Sequence, residues 1–531
     1  MMISAHSIEA VRAAEQAAMA DLPEGKLMAR AALGLAEVAA ARLSDTEGTT
    51  VVGLVGGGDN GGDTLYAVAH LAEAGYAAAV VLLASSGRDG VHAGGLAAAE
   101  AAGVMVHLAS GGPGEAASPD ALGDAADVVA EADLVLDGIV GIGGRPGLRP
   151  EAARLVDAID DDAWVIAVDV ASGLDPAGGA GEDDAVWADE TVTFGTPKPA
   201  HLLPAGEGAT GVLTVVDIGV PFGDVPAAVE RFTWDDVAAL WPVPHASDDK
   251  YSRGVLGVVA GSEAYPGAAV LCTTAAAEAG VGMIRYVGTP TPVGLVHHAV
   301  PEAVVGAGRV QAWVVGPGLD AQADDDSAKA QLDAARDALA SDLPVVVDAG
   351  GLDLVSGDPR DAPTVLTPHA GELARLLARL DGSTGRNEPA EGDAAGSGHS
   401  DDPADRPAVT TDDVKADPLG HARRLAELTG ATVLLKGSTT LVVTEGHAVR
   451  SQADAPTWLA TAGAGDVLSG VVGTLLAAGL QPHDAASLGA LVHGVAADRA
   501  SGGGPLRALA VAHGIRPAVR DLLARGRSAP G

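Results

Sequence analysis

The sequence has few of the residues that mark secreted, zinc-binding or nucleic-acid-binding proteins. Its 531 residues include a single cysteine, Cys272, which excludes a disulfide framework and a cysteine-based zinc site. Only 3% of the residues are aromatic, and 32 Lys and Arg residues stand against 71 Asp and Glu residues. The resulting net charge of −39 argues against nucleic acid as a partner, because phosphates attract basic surfaces.

Membrane and export segments are also missing. No apolar run reaches the length of a bilayer span, and residues 1–15 mix His, Glu and Arg with apolar residues, unlike a signal peptide. We therefore expect a cytoplasmic protein that does not bind a membrane.

Lysine is scarce, and the acidic residues are spread along the whole chain. Such a surface is typical of proteins that work in molar salt, where self-repulsion is screened. We therefore predict a halophilic protein, as from a halophilic archaeon. Because surface lysine is avoided, a lysine inside a motif is a candidate for a specific role.

The length of 531 residues allows two to four domains, and strands and helices alternate in the order of doubly wound parallel sheets. One such unit contains a strand at 50–55, a glycine-rich loop and a helix predicted at 64–74, and a second starts near Lys250. Residues 381–416, rich in Gly, Asp, Glu, Ser and Pro, are predicted to be a disordered acidic insert. The predicted boundaries are 1–222, a connection at 223–247, and 248–531.

Three predicted strands of the first domain end in acidic residues beside glycine. The carboxyl ends of parallel strands meet at one edge of a sheet, so we expect these side chains to converge. Carboxylate, amide and hydroxyl oxygens are ligands for a hard cation. Each aspartate alone is more typical of a helix cap or a turn, but three such strand ends together favour a functional site. The residues are Asp59, Asn60, Asp63, Asp137, Asp169 and Ser172.

The stretch 459–470 of the second domain is glycine-rich and continues into apolar residues at helical spacing, which places Asp466 at a helix N-terminus. Exposed N–H groups at such a turn suit a phosphate, beside which an aspartate serves as a base or metal partner. The alternative is a helix-capping aspartate. Lys436, at a strand end before Ser and Thr, is a candidate phosphate contact, whereas the loop residue His369 is either structural or part of the site. No P-loop motif occurs.

These motifs resemble a known family. Leu366-Thr-Pro-His-Ala-Gly-Glu372, Leu435-Lys-Gly-Ser-Thr-Thr440 and Ala462-Gly-Ala-Gly-Asp-Val-Leu-Ser-Gly470 resemble the nicotinamide-nucleotide-hydrate dehydratases of the ribokinase-like superfamily. Gly57-Gly-Asp-Asn-Gly-Gly-Asp63 and Val168-Asp-Val-Ala-Ser-Gly-Leu-Asp175 resemble the matching epimerases. Their order is that of the bifunctional NAD(P)H-hydrate repair enzymes. The resemblance implies an α/β fold with an N-terminal Rossmann-like epimerase domain and a C-terminal ribokinase-like domain.

The resemblance also implies the chemistry. The first domain would interconvert the R and S forms of NAD(P)HX, the cofactor hydrated at ring carbon 6. The second would dehydrate the S form with ADP, releasing AMP and phosphate. Asp466 would take the proton of the carbon-6 hydroxyl during its phosphorylation, and Asp169 would be the acid/base for epimerisation.

The resemblance implies K⁺ at Asn60, Asp137 and Ser172, and Mg²⁺ in the second domain with Glu372 as a possible ligand. NAD(P)HX and ADP are the implied ligands, and we expect a homo-oligomer. In the first domain the hydrated cofactor would contact Asp59, Asn60, Gly61, Gly62, Asp63, Gly141, Ile142, Gly143, Gly144, Arg145, Pro146, Gly147 and Asp169. In the second it would contact Ala268, Gly318, His369 and Asp466, and the nucleotide would contact Lys436, Gly437, Ser438, Thr439, Thr440 and Gly465.

The sequence departs from the family pattern at three positions of the first domain. Asp59, Ile142 and Ala171 stand where Asn, Thr and Pro are usual, which leaves the efficiency of the epimerase open. Two other functions stay open: a ribokinase-like kinase of a small alcohol with an accessory domain, and a non-catalytic scaffold, which the acidic charge disfavours. The choice between ADP and ATP is also open.

Overall fold

The computed structural model describes residues 2–84, 87–109, 118–179, 184–384 and 409–528. The chain divides into two compact units, an N-terminal unit, Ser4–Glu230, and a C-terminal unit, Met1–Ile3 with Arg231–Gly531. Residues 231–247 of the predicted connection therefore belong to the C-terminal unit, and the exact domain boundaries stay predictions. Among the described helices, none has the length and apolar character needed to cross a membrane.

The described residues of the N-terminal unit form a parallel sheet with helices on both faces. Its strand order is β4-β3-β2-β5-β6-β7-β8, so the order reverses between β2 and β5. This is the predicted doubly wound architecture, in which ligands bind where the order reverses. Its strands are β2 (Thr50–Val55), β3 (Ala77–Leu82), β4 (Met105–Leu108), β5 (Leu134–Gly138), β6 (Trp164–Val168), β7 (Glu190–Phe194) and β8 (Val212–Val216). Two further short strands, β1 (Ile3–Ala5) and β9 (Val229–Arg231), span the sequence boundaries of the two units and are not part of this sheet. The helices are α1 (Ile8–Ala20), α2 (Lys26–Asp45), α3 (Asp59–Glu73), α4 (Ala93–Ala101), α5 (Pro119–Ala130), α6 (Pro150–Val156) and α7 (Pro204–Thr210).

Local sequence explains most of these boundaries. The central strands β2 and β5 are apolar and buried along nearly their whole length, as expected for strands covered on both faces. Helices α6 and α7 begin with Pro150 and Pro204, whose fixed φ suits the first turn and whose missing N–H is not needed there.

Helix α3 begins at Asp59, so the predicted start at residue 64 is wrong. Gly61 and Gly62 are weak helix formers, which is why the pattern indicated a loop. Packing requires them: a Cβ at Gly61 would lie 2.3 Å from the carbonyl oxygen of Gly56, and one at Gly62 would lie 2.9 Å from Met28 Cε. Close approach therefore outweighs intrinsic propensity in the first turns of α3.

The C-terminal unit is built on a second, larger sheet, which from β18 to β12 runs β18-β17-β16-β15-β14-β13-β10-β11-β12 in the described residues. Strands β10 to β16 pair in parallel, and β16, β17 and β18 pair antiparallel. The strands are β10 (Val255–Val259), β11 (Met283–Val287), β12 (Val304–Val305), β13 (Ala312–Val315), β14 (Val345–Val347), β15 (Thr364–Leu366), β16 (Thr432–Leu435), β17 (Thr440–Val443) and β18 (Val449–Gln452). The helices are α8 (Trp234–Leu240), α9 (Pro266–Glu278), α10 (Pro290–Ala299), α11 (Asp326–Ala340), α12 (Ala370–Thr384), α13 (Thr411–Ala416), α14 (Pro418–Thr429), α15 (Ala464–Ala477), α16 (Pro482–Ser501) and α17 (Ala508–Ser528).

The predicted acidic insert is wrong at both flanks. Residues 381–384 belong to α12, and 411–416 form α13. Helix α13 is stabilised by a capping box in which Thr410 and Asp413 bond each other's backbone, and its apolar residue Val414 is fully buried. The central part of the prediction, residues 385–408, lies outside the described residues.

Gly470 on α15 allows that helix to pack against α9. A Cβ at Gly470 would lie 2.3 Å from the carbonyl oxygen of Cys272, a backbone atom that cannot move aside. We expect Gly470→Ala to lower the free energy of unfolding by about 1–3 kcal/mol, measured by urea denaturation.

Gly294 of α10 is the matched control, because a Cβ there would meet nothing within 4 Å. Gly294→Ala should leave stability unchanged or raise it by up to about 1 kcal/mol through better helix propensity. Equal stability of the two variants would contradict the packing argument.

Candidate active sites

In the N-terminal unit, the loops that follow β2 and β5 enclose a cavity of about 740 Å³ where the strand order reverses. A Cβ at Gly141 would lie 3.1 Å from Asn60 Cγ, so the two loops are in contact. Seven predicted contacts line the cavity: Asp59, Asn60, Asp63, Gly141, Ile142, Gly143 and Asp169. Among the described residues the cavity wall does not include Gly61, Gly62, Gly144, Arg145, Pro146 or Gly147.

Asp137 and Ser172 form the buried floor beside this cavity. Ser172 donates from its backbone N to Asp137 Oδ2 at 2.7 Å and from Oγ to Asp137 Oδ1 at 2.6 Å, while Val140 N donates to Ser172 Oγ at 3.0 Å. Burial nevertheless raises the pKa of Asp137 to about 6. Within the described chain no Lys or Arg pairs with this carboxyl, so its negative charge lacks a cation.

Asn60 supplies a further polar group near this floor. It is 8% exposed, and its amide nitrogen has no hydrogen-bond partner in the described residues. Carboxylate, hydroxyl and amide oxygens are suitable ligands for a monovalent cation, and from Asn60 the ligand would be the amide oxygen, since the nitrogen is a donor. The described residues contain no group of three His, Cys, Asp or Glu side chains that would hold a metal, so Asp59, Asp63 and Asp169 do not join Asp137 in one acidic cluster.

Asp169 follows β6 and has a φ of 66°, a left-handed conformation that a non-glycine residue adopts at a cost of about 1–3 kcal/mol. Its Oδ1 accepts from Thr193 Oγ1 at 3.0 Å and from Phe194 N at 3.3 Å, and it is ion-paired with Lys198. Lys198 is 1% exposed and also donates to Thr193 Oγ1 at 2.9 Å and Phe194 O at 3.2 Å. These contacts hold the carboxylate at the cavity wall.

The sequence assigned no role to Lys198. The available signal was the scarcity of lysine, which makes a lysine in a loop after a strand unusual in this chain.

In the C-terminal unit, Asp466 lies in the first turn of α15, as predicted. The helix is preceded by Gly463, which has a φ of 88° and makes no side-chain cap. The capping interpretation of Asp466 is therefore wrong, because the N-cap position is occupied by glycine and not by this aspartate. Backbone N–H groups in a first turn lack helical acceptors and suit an anion.

A buried ion pair lies beside this helix start. Lys436 Nζ is 2.7 Å from Asp348 Oδ1, and Ser469 Oγ donates to Asp348 Oδ2 at 2.8 Å. A Cβ at Gly465 would lie 3.2 Å from Lys436 Nζ, so the glycine lets the ammonium approach the helix start. Lys436 is thus positioned by Asp348, a residue that the sequence did not single out.

The charges around Asp466 favour its protonated form. Burial raises the pKa of Asp466 to about 7, and the negative charge of Asp348 adds to this effect while Lys436 opposes it. A carboxyl with a pKa near neutrality is suited to accept a proton at physiological pH.

His369 and Glu372 fix each other at the start of α12. His369 Nδ1 accepts from the N–H groups of Gly371 at 3.1 Å and Glu372 at 3.2 Å, and Glu372 Oε2 accepts from His369 N at 2.8 Å. The backbone of His369 also bridges to Lys436, and Lys436 Nζ is 3.6 Å from Glu372 Oε2. His369 therefore has a structural role and also lies beside Lys436.

The other predicted contacts occupy neighbouring loops. A Cβ at Gly318, where φ is 62°, would lie 2.5 Å from Ala268 Cβ, so these two residues touch. Gly437, Ser438, Thr439 and Thr440 form the turn from β16 into β17 directly after Lys436. A further buried residue, His493 of α16, has an unpartnered Nε2 among the described residues, and burial lowers its pKa to about 4. No sequence signal distinguished it from the apolar residues of that helix.

Residues 256–503 match the family model described as NAD(P)H-hydrate dehydratase, and residues 24–200 match that of the YjeF-related protein N-terminus. The bifunctional NAD(P)H-hydrate repair enzyme of Mycobacterium tuberculosis H37Rv is 43% identical over 498 residues, which is 91% of each chain. That of Mycobacterium leprae is 42% identical and covers 97% of this chain and 99% of its own. A crystal structure of ADP/ATP-dependent NAD(P)H-hydrate dehydratase from Bacillus subtilis, co-crystallised with ATP and Mg²⁺, is 22% identical, with a TM-score of 0.45, covering 57% of this chain and 99% of that one.

The raised pKa of Asp466 predicts a pH-dependent effect on stability. A carboxyl whose pKa is raised to about 7 in the folded state destabilises the fold increasingly as pH rises from about 4 to above 7. Asp466→Asn keeps the uncharged form, so we expect it to be more stable than the parent at pH 8 by roughly 2 kcal/mol and no more stable at pH 4.

Urea denaturation at several pH values measures this difference. Asp326→Asn is the control, because Asp326 is an exposed aspartate in the first turn of α11. A difference between Asp466→Asn and the parent that does not vary with pH would contradict the raised pKa.

Proposed function

The chain belongs to the family of bifunctional NAD(P)H-hydrate repair enzymes, and we propose that it carries out both reactions on NAD(P)HX. The N-terminal unit interconverts the R and S epimers, and the C-terminal unit dehydrates the S epimer to NAD(P)H with ADP. The relatives fit this function and not a small-alcohol kinase. The observation that supports it most directly is Asp466, a carboxyl with a pKa of about 7 at a glycine-rich helix start beside Lys436.

For dehydration we propose that Asp466 removes the proton of the carbon-6 hydroxyl while that oxygen attacks the terminal phosphorus of ADP. AMP leaves, and the ring nitrogen lone pair then expels phosphate and forms a C=N bond to carbon 6. Loss of the proton on carbon 5 to solvent restores the carbon-5–carbon-6 double bond, and with it the reduced nicotinamide. Gly465 and the turn from Lys436 to Thr440 would hold the nucleotide, and Ala268, Gly318 and His369 the hydrated ring. Lys436, paired with Asp348, opposes the negative charge near the reacting oxygens.

Magnesium would enter this site with the nucleotide. The described residues offer no three-carboxylate cluster, which fits a cation that takes most of its ligands from phosphate and water, with Glu372 as the candidate protein ligand. Bound there, Mg²⁺ would neutralise phosphate charge.

For epimerisation we propose that Asp169 transfers a proton during loss and return of the carbon-6 hydroxyl. The pair with Lys198 and the left-handed backbone support this role, because both fix its carboxylate at the cavity wall. The cavity volume of about 740 Å³ is adequate for a nucleotide-sized ligand.

We propose that Asn60, Asp137 and Ser172 bind a potassium ion. The uncompensated buried charge of Asp137 supports it, and Asn60 would contribute its amide oxygen. The acidic composition further supports a cytoplasmic protein adapted to a potassium-rich, salty interior. A homo-oligomeric state stays a prediction.

The two reactions separate by substitution. On the full-length chain with hydrated NADH, recovery of absorbance at the reduced-nicotinamide band should require ADP. Asp466→Asn should slow this recovery by about 10²- to 10⁴-fold and leave epimer interconversion intact, since it removes only the base of the C-terminal unit. Asp169→Asn should slow epimer interconversion and leave ADP-dependent dehydration of the S epimer intact.

Chromatographic separation of the two epimers follows interconversion independently of dehydration. If the folded parent protein gives no recovery with either ADP or ATP, or accumulates a stable phosphate ester, the repair function is refuted.

Potassium should stabilise the N-terminal unit. Because a cation at Asp137 binds only the folded state, raising KCl at constant ionic strength with LiCl should raise the melting temperature of this unit. Asp137→Asn should abolish the effect, whereas dehydration of purified S epimer by the same variant should continue. A potassium response that persists in Asp137→Asn would place the ion elsewhere.

A further inference from the structure

Asp63 lies near the start of α3 and lines the same cavity as Asp169. It is 8% exposed, and its Oδ1 has no hydrogen-bond partner among the described residues. Burial without a donor disfavours the carboxylate strongly, whereas the neutral acid loses much less hydration free energy on burial. The helix start favours the anion only weakly, because that effect depends on charge reaching the first N–H groups.

The groups that face Asp63 are mostly acidic. Burial raises the pKa of Asp63 well above its ordinary value, the negative charges of Asp169, Asp59 and Glu15 raise it further, and Lys198 opposes them. In the described chain no cation forms an ion pair with Asp63. The other titratable side chains on the walls of this cavity and of an adjoining one of about 520 Å³ are Arg12, Glu24, Lys26 and His92.

Asp169 has the opposite environment. Lys198 uses its ammonium on Asp169 Oδ1, Thr193 Oγ1 and Phe194 O, so it has no proton left to give to a ligand. Asp169 Oδ2 makes no hydrogen bond within the described residues and is the oxygen available to the cavity. The same cavity is therefore lined by Asp63, which has no cationic partner among the described residues, and by Asp169, which is ion-paired with Lys198.

Resting on the proposed epimerase function, we propose that Asp63, as the neutral acid, is the proton donor of epimerisation and Asp169 the proton acceptor, with Lys198 as the residue that positions Asp169. Two carboxyl groups in unlike surroundings divide the roles of acid and base in this way. If Asp63 took no part, Asp169 alone would have to donate the proton in one step and accept it in the other.

The proposed steps balance without a further reactant. Asp63 protonates the carbon-6 oxygen, the C–O bond breaks with its electron pair on oxygen, and water forms. The ring nitrogen lone pair makes a C=N bond to carbon 6. Water then adds to carbon 6, the C=N pair returns to nitrogen, and the released proton passes to Asp169 Oδ2. Proton exchange between the carboxyls and solvent, or the reverse reaction, resets the site.

Asp63→Asn is the informative variant, because asparagine matches the neutral acid in shape and charge but cannot transfer a proton. At saturating K⁺ we expect kcat for epimer interconversion to fall by about 10²- to 10⁴-fold, with KM changed less than threefold. If Asp63 were instead ionised and served only to bind the ligand, Asp63→Asn would raise KM. Asp120→Asn, at an exposed position in the first turn of α5, is the control and should retain the parent rate.

The pH profile tests the same assignment without altering Asp63. Because the donor must be protonated, kcat/KM of the parent should fall as pH rises through the raised pKa of Asp63, and the residual rate of Asp63→Asn should lack this alkaline limb. Lys198→Met should lower kcat for interconversion and keep the alkaline limb, since it removes a contact that positions Asp169 but leaves Asp63 in place. Dehydration of purified S epimer should be unchanged in all these variants.

The outcomes are distinct. A full interconversion rate in Asp63→Asn, or a parent profile without an alkaline limb, overturns the role of Asp63 while the epimerase function stands. A parent protein that dehydrates the S epimer but never interconverts the epimers refutes the epimerase function and this inference with it.

Discussion

A buried lysine–aspartate ion pair beside a second, uncompensated aspartate is the arrangement on which both sites depend. In the N-terminal unit Lys198 pairs with Asp169 and leaves Asp63 without a cation. In the C-terminal unit Lys436 pairs with Asp348 and leaves Asp466 with a pKa of about 7. In each unit the ion pair supplies a fixed charge, and burial of the neighbouring carboxyl raises its pKa and favours the protonated acid.

Both arrangements lie at the carboxyl ends of parallel strands, and glycine makes them possible. Gly61 and Gly62 allow α3 to start against the loop that follows β2, and Gly465 lets an ammonium group approach the start of α15. A side chain at Gly61 would collide with the backbone oxygen of Gly56, and one at Gly62 or Gly465 would crowd the side chain of Met28 or Lys436. The glycine-rich motifs are thus requirements of close packing as well as of ligand access.

The fold class and most strand positions could be predicted because buried parallel strands are continuous apolar runs between glycine-rich turns. The start of α3 could not, because its glycines have low helix propensity and are required by contacts with residues distant in sequence. Helix α13 was missed because one capping box and one buried valine are a weak signal in an acidic segment. The place of Asp466 at a helix start could be predicted from local pattern, which left its role open between a cap and a base. The pairs of Lys198 and Asp348 depend instead on side chains from other strands. The raised pKa of Asp63 likewise results from its three-dimensional surroundings.

The distribution of the few lysines has a practical consequence. Lys26, Lys250, Lys329 and Lys415 are exposed, whereas Lys198 is fully buried and Lys436 is paired with Asp348 beside α15. Amine-reactive coupling to a solid support or a fluorophore would therefore attach to a small, known set of surface positions. Such conjugation would spare Lys198 and Lys436, the two least exposed lysines, whereas a label on Lys26 would lie on the wall of the cavity of about 520 Å³ beside Asp63.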